Sequence, residues 1–266
     1  MFKISMALTS LLFFCAWATA QPISPTVRSE LAPTGTLRVG IHYVNIFLVT
    51  KDHESGEPRG VAIDLARELG RRIGVPVEFV GYANAANLTR AAKSGEWDVS
   101  FQAAESSRAA EITFTAGFSE MGVTYLVPSA SPIRTLADVD RDGIRVAVAA
   151  KSGYDLILTR SLKSAQLVRA SGFIGSVQVF VSDKLEALVG LRPQLVMEAG
   201  KLPGTRVLDG DFTVLPQAIG TPKDREAAAA YLRQFVEDVK ASGLVAKAIA
   251  KAGVRGMPVA PMAPAQ

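Results

Sequence analysis

The sequence predicts an α/β protein made of two units in series, each with a mainly parallel sheet. Three observations lead there. Strand-like and helix-like segments alternate along most of the chain, the alternation restarts after residues 123–127, and the clearest helical segment repeats its apolar residues every fourth position.

Residues 36–41 form the first expected strand. Over 61–73 the residues Val61, Leu65, Leu69 and Ile73 make one apolar stripe, with Asp64, Arg67, Glu68, Arg71 and Arg72 on the other faces; Gly74 and Pro76 end this helix. Residues 77–80 are the second strand, 87–94 a helix closed by Gly95, and 98–102 the third strand. In the second unit, 145–149 is a strand, 153–162 a helix, 166–168 a strand, and 186–189 a strand opening into a helix from about Arg192. The final helical segments, 224–241 and 244–252, have no strand after them to cross over to. Residues 21–33 read as a polar, proline-bearing leader and 257–266 as a proline and alanine tail, both expected to fray.

The first twenty residues read as an export signal. Lys3 supplies the positive start, residues 8–17 the apolar stretch, and Ala18-Thr19-Ala20 a small-residue cleavage site. No later stretch approaches the roughly 20 apolar residues that span a bilayer. Cys15 is the single cysteine and lies inside this signal, so the exported chain has neither a disulfide nor a thiol-based metal site; Phe14 before it is too large for a lipid-attachment signal. The chain carries 29 basic and 25 acidic residues, and removal of the signal takes only Lys3 from that balance. So even a mixture argues against nucleic-acid binding, which calls for a basic stripe with interleaved aromatics.

Residues 93–115 hold the first candidate site. A buried strand runs into a polar turn, and Arg108 sits in that turn just before a second apolar strand. A guanidinium matches the two oxygens of a carboxylate, and strand ends are where small ligands dock in α/β sheets. Glu105 and Glu111 flank Arg108 at three residues on each side, so a surface residue in weak ion pairs explains the same pattern, and the residues alone favour that account. Ala150-Lys151-Ser152 before a helix lacks the glycines of a phosphate loop. What survives is a helix start at Ser152 and Gly153 that favours an anion, or an ordinary N-cap serine. His42 and His53 stand eleven apart across an expected loop with no metal-ligand spacing, and are read as surface or loop residues. Tyr43, Tyr82, Phe101, Phe114 and Phe118 are core residues by default, with Tyr43 and Phe101 raised by their places at strand ends.

Six segments in order (35–40, 60–66, 73–80, 95–99, 108–115 and 133–139) resemble the bacterial family 3 extracellular solute-binding proteins, and the likeness covers nearly the whole exported chain. The resemblance implies a two-lobed periplasmic binding protein of type II, or Venus-flytrap, fold with two mainly parallel sheets and two hinge crossovers. It implies lobe 1 over 34–122 and 218–256 and lobe 2 over 123–217, with the last helices returning to lobe 1. It also implies a periplasmic monomer, without cofactor or metal, that delivers a small carboxylate-bearing solute to an inner-membrane ABC permease.

By the same resemblance, Arg108 is the carboxylate anchor, and the N–H groups at Ser152 and Gly153 face it from the other lobe. Tyr43, Asn45, Phe101, Gln102, Ala103, Glu105 and Leu191 complete the expected ligand set. Three departures qualify it. Leu191 stands where amino-acid binders of this family have the aspartate that grips the ammonium, Glu105 replaces a threonine, and the turn before Arg108 is about two residues short. Glu105 either substitutes for the missing acid or neutralises Arg108, with the second favoured.

The leading expectation is therefore a non-catalytic binder of a small organic anion or amino-acid-like solute. The alternatives are a periplasmic enzyme similar to cyclohexadienyl dehydratase and a free sensor or partner module. The enzyme needs a carboxylic acid to protonate a leaving hydroxyl, and Glu105, the one candidate, would have its pKa lowered by Arg108.

Overall fold

The computed structural model describes residues 23–264; the expected export signal lies outside them. In chain order the elements begin with α1 (Pro25–Leu31), β1 (Leu37–His42), the short hairpin β2 (Thr50–Lys51) and β3 (Pro58–Arg59), α2 (Val61–Ile73), β4 (Val77–Tyr82), α3 (Ala85–Arg90) and β5 (Val99–Ala103). β1 lies parallel to both β4 and β5, and α2 and α3 supply the crossovers that parallel neighbours require. The apolar stripe of α2 is buried throughout, and Gly74 caps the helix at φ 69°, a left-handed conformation that suits glycine.

The second unit follows the long strand β6 (Ile112–Pro128): β7 (Arg145–Ala149), α4 (Gly153–Ser161), β8 (Gln166–Ala170), α5 (Gly172–Ser182), β9 (Ala187–Leu191), α6 (Arg192–Ala199) and β10 (Thr205–Val207). The chain then runs back along β11 (Thr213–Pro222) into α7 (Glu226–Ala241) and α8 (Leu244–Lys251). Among the described residues, nine strands form one hydrogen-bonded sheet: eight follow the path β4-β1-β5-β11-β6-β9-β7-β8, and β10 pairs with β6 off it. The two parallel sheets expected from sequence are the wings of this path. The antiparallel pair of β6 and β11 joins them, with register shifts around Ala218.

Several sequence expectations change. Residues 172–182, assigned no element, form α5, and 213–222 form β11. From residue 23 on, the leader does not fray: α1 packs against α7 with Leu31 fully buried, Arg225 donates to the carbonyl of Glu30 at 2.7 Å, and the N–H of Ala228 donates to the Glu30 carboxylate at 2.8 Å. The tail through residue 264 is likewise tied down. Val259 bridges to Ser119, the N–H of Ala260 donates to the Phe118 carbonyl at 3.1 Å, and the buried Lys240 donates to the Pro261 carbonyl at 2.7 Å. Composition suggested fraying, but backbone partners decide it. The last two helices pack on the first unit, where Arg72 meets Asp238 at 3.2 Å and Lys251 meets Asp64 at 2.8 Å.

One buried carboxylate ties the first wing together. Asp98, fully buried, accepts from the Arg38 N–H and Nε at 3.0 Å each, from Arg38 Nη2 at 2.8 Å and from Arg225 Nη1 at 2.9 Å. Removing one partner of such a network strands the other charges. Asp98→Ala is expected to lower stability by about 3–5 kcal/mol, read as a shift in the urea midpoint; a loss under about 1 kcal/mol, the scale of an exposed pair, would contradict this role.

Candidate functional site

The C-terminal ends of the parallel strands in both wings meet at a cleft of about 820 Å³. This is where the alternation of parallel strands and helices places the loops free to vary, at the switch between the wings. Residues 42–46 after β1, 83–85 after β4 and Ala103 at the end of β5 line one side; 149–154, 169–174 and Leu191 line the other; Leu215 and Gln217 of β11 lie between.

Arg108 sits in a short 3-10 turn (Ser106–Ala110) and is only 4% exposed, yet it opens on the cleft. Among the described residues no carboxylate pairs with it. Its Nη1 donates to the Ala103 carbonyl at 3.0 Å and its Nη2 to the Lys151 carbonyl, across the cleft, at 3.4 Å. Burial pulls its pKa down to about 10, with the charge of Glu105 opposing. A guanidinium has five N–H donors, so two carbonyls leave part of the fork unused.

Opposite stands the start of α4. Ser152 caps it by accepting from the Asp155 N–H at 3.1 Å, which leaves the Gly153 and Tyr154 N–H groups in the open first turn. Gly153 allows the close approach: a Cβ there would stand 3.2 Å from Leu215 and 3.5 Å from Ala103. α3, α5 and α6 also begin at this cleft, so four helices in all have their positive ends at it. The acids nearby are engaged. Glu198, the one acid on the lining, meets Lys201 at 3.1 Å, and the buried Asp155 accepts from the Lys151 N–H at 2.7 Å and Arg169 Nε at 3.0 Å. The cleft is electropositive and offers donors, not free carboxylates.

Of the expected ligand residues, Arg108, Ser152, Gly153, Tyr43, Asn45, Ala103 and Leu191 line this cleft together. Asn45 donates to Gln217 at 3.1 Å, and Leu191 forms an apolar wall. The other three do not line it. Phe101 is core, edge-on to Phe118 with centroids 6.0 Å apart, and Gln102 is fully buried between Thr89 and Ser100; along β5 both faces are covered, and only Ala103 at its end reaches the cleft. Glu105 caps the turn that carries Arg108. It accepts from Ser106 Oγ at 3.0 Å, from the Ser107 N–H at 2.9 Å, from Ser107 Oγ, and from Arg160 on α4. It therefore neither pairs directly with Arg108 nor offers a substitute acid to the cleft. Sequence reasoning missed Gln217, Gln194 and His42, which all line the cleft; His42 ends β1 and is buried, not a surface residue.

The family model of bacterial extracellular solute-binding proteins, family 3, matches residues 37–253. The chain belongs to that family. No curated protein matches it in sequence. Among solved structures it is similar to the putative binding component of an ABC transporter from Wolinella succinogenes complexed with lysine (20% identity, TM-score 0.72, covering 82% of this chain and 95% of that one). It is similar to the amino acid ABC transporter substrate-binding protein AbpA from Streptococcus pneumoniae bound to L-arginine (17%, 0.71, 84% and 97%). It is also similar to the ancestral amino acid-binding protein AncCDT-1, a precursor of cyclohexadienyl dehydratase (24%, 0.71, 84% and 97%). At these identities the likeness is one of fold, that of the two-lobed periplasmic binding proteins. Delivery of a small ligand to an ABC transporter is the work of this family.

Burial alone would raise the Glu105 pKa, but the hydrogen bonds from Ser107, Arg160 and Ser106 outweigh it and hold the carboxyl below its ordinary value of 4.5. Its stabilising contribution is complete above the unfolded value and fades as pH falls through the lower folded one. Glu105→Gln is expected to cost about 2 kcal/mol at neutral pH, with the gap to the parent narrowing in acid, measured by urea unfolding across pH. A gap that ignores pH would contradict an ionised Glu105.

Proposed function

We propose that the protein is a periplasmic solute-binding protein that captures a small carboxylate-bearing solute and delivers it, as a monomer, to an inner-membrane ABC permease. On this reading residues 1–20 direct export. Lobe 1 comprises 34–122 and 218–256 and lobe 2 comprises 123–217, with the crossovers inside β6 and β11. The observation that carries the proposal is Arg108, buried at the cleft without a carboxylate partner and facing the open first turn of α4. A buried cation lacking a counter-charge is costly, and a ligand carboxylate supplies one. Because Arg108 and α4 stand on opposite sides, one carboxylate touching both favours the closed arrangement.

Lysine and arginine, bound in two of the similar structures, each carry a carboxylate, the half of the ligand that Arg108 fits. The amine half lacks its counter-charge here: Leu191 is apolar and Glu198 is taken by Lys201. An organic acid thus suits the cleft better than a plain α-amino acid. The dehydratase reading lacks its general acid, because Glu105 is held ionised and lies off the cleft.

A thermal-shift screen of organic acids and amino acids, followed by calorimetry, tests the proposal. Arg108→Ala is expected to weaken acid binding by about 10- to 100-fold, the size of a charge-assisted hydrogen bond, with little change in the melting temperature of the free protein. Undiminished binding in that variant would overturn the proposal.

A further inference from the structure

His42 ends β1 and is only 7% exposed, on the cleft wall that also carries Arg108. Nδ1 is sealed from solvent and meets no hydrogen-bond partner among the described residues. A neutral imidazole has one N–H and one lone pair, and buried N–H groups without acceptors are the rarer orphans in folded proteins. The proton therefore belongs on Nε2, the nitrogen left to the cleft. A second proton would bury an unpaired N–H and set two cations together. The pKa is accordingly held at about 4, by burial first and by Arg108, the one charged group acting on the ring, second. At neutral pH His42 is a fixed, uncharged donor.

Packing does not explain this residue, since a leucine would fill the place without an orphaned nitrogen. We infer that His42 recognises the ligand, its Nε2–H donating to an oxygen that the bound acid carries beyond the carboxylate held by Arg108. The class preferred is then hydroxy, oxo or dicarboxylic acids over plain monocarboxylates, an inference that rests on the carboxylate reading of the cleft. An ammonium at the same place would set donor against donor, which agrees with the apolar Leu191 wall.

Butyrate, 2-hydroxybutyrate, 2-oxobutyrate and succinate share a carbon count and differ in the second oxygen, so calorimetry with these four isolates it. The parent is expected to prefer the last three, or a subset of them, over butyrate by at least about tenfold, and His42→Phe to reduce that preference to within about twofold. The chain has two histidines, and the exposed His53 serves as the internal control for nitrogen-15 NMR of the full-length parent. The His42 Nε2 resonance should report the protonated nitrogen of a neutral ring and should move on saturation with the tightest of the four acids, while His53 stays. This second measurement stands even if His42→Phe folds poorly. A preference that survives in His42→Phe, or an Nε2 resonance unmoved by bound acid, overturns the role of His42 and leaves the Arg108 reading intact. Binding of all four acids that Arg108→Ala does not weaken, or no binding of any, overturns the role of His42; the first of these also removes the carboxylate reading.

Discussion

Arg108 holds its charge almost wholly out of water, with two backbone carbonyls as its hydrogen-bond partners. Much of the cleft follows from keeping it there. Glu105 caps the turn beneath it and takes its own counter-charge from Arg160, so the nearest acid is spent locally. Gly153 brings the open end of α4 down toward β5, and Lys151 turns its carbonyl to Nη2 with its own backbone in the left-handed region at φ 62°. The carbonyls hold the guanidinium in place but do not neutralise it. An anion entering from the cleft would supply the paired counter-charge that no side chain among the described residues gives it.

The same parts are distributed so that binding can couple to shape. β6 and β11 run antiparallel through the middle of the sheet and belong to both wings, while the parallel strands on either side aim their helix starts at one cleft. Two polar contacts span the wings, Arg160 with Glu105 and Arg108 with the Lys151 carbonyl, beside the apolar approach of Gly153 to Ala103. The two strands shared by both wings are where a hinge movement can be absorbed.

Local patterns made much of this legible in sequence. α2 was readable to its ends because its stripe repeats cleanly and Gly74 and Pro76 follow. α5 was not, because Phe173, Ile174, Val177, Val179, Phe180 and Val181 leave no polar face and two glycines interrupt it. β11 is masked in the sequence by Pro216 in its interior, which lies just before the register shifts that follow Gln217. In the site, order along the chain located Arg108 and the start of α4. The Glu105 to Arg160 pair, 55 residues apart, left no local trace, and Phe101 and Gln102 were misplaced because a strand turns both of its faces into the fold before its end reaches a ligand. His42 has no local signal, since metal-ligand spacing says nothing of it and its burial arises from its place at the end of β1.

A crystal structure of the protein with the solute that copurifies from its native host addresses the central claim most directly. The account predicts a carboxylate within hydrogen-bond distance of both the Arg108 guanidinium and the first-turn N–H groups of α4. A bound solute that leaves Arg108 without an anionic partner, or that places a cationic group against it, would contradict the account.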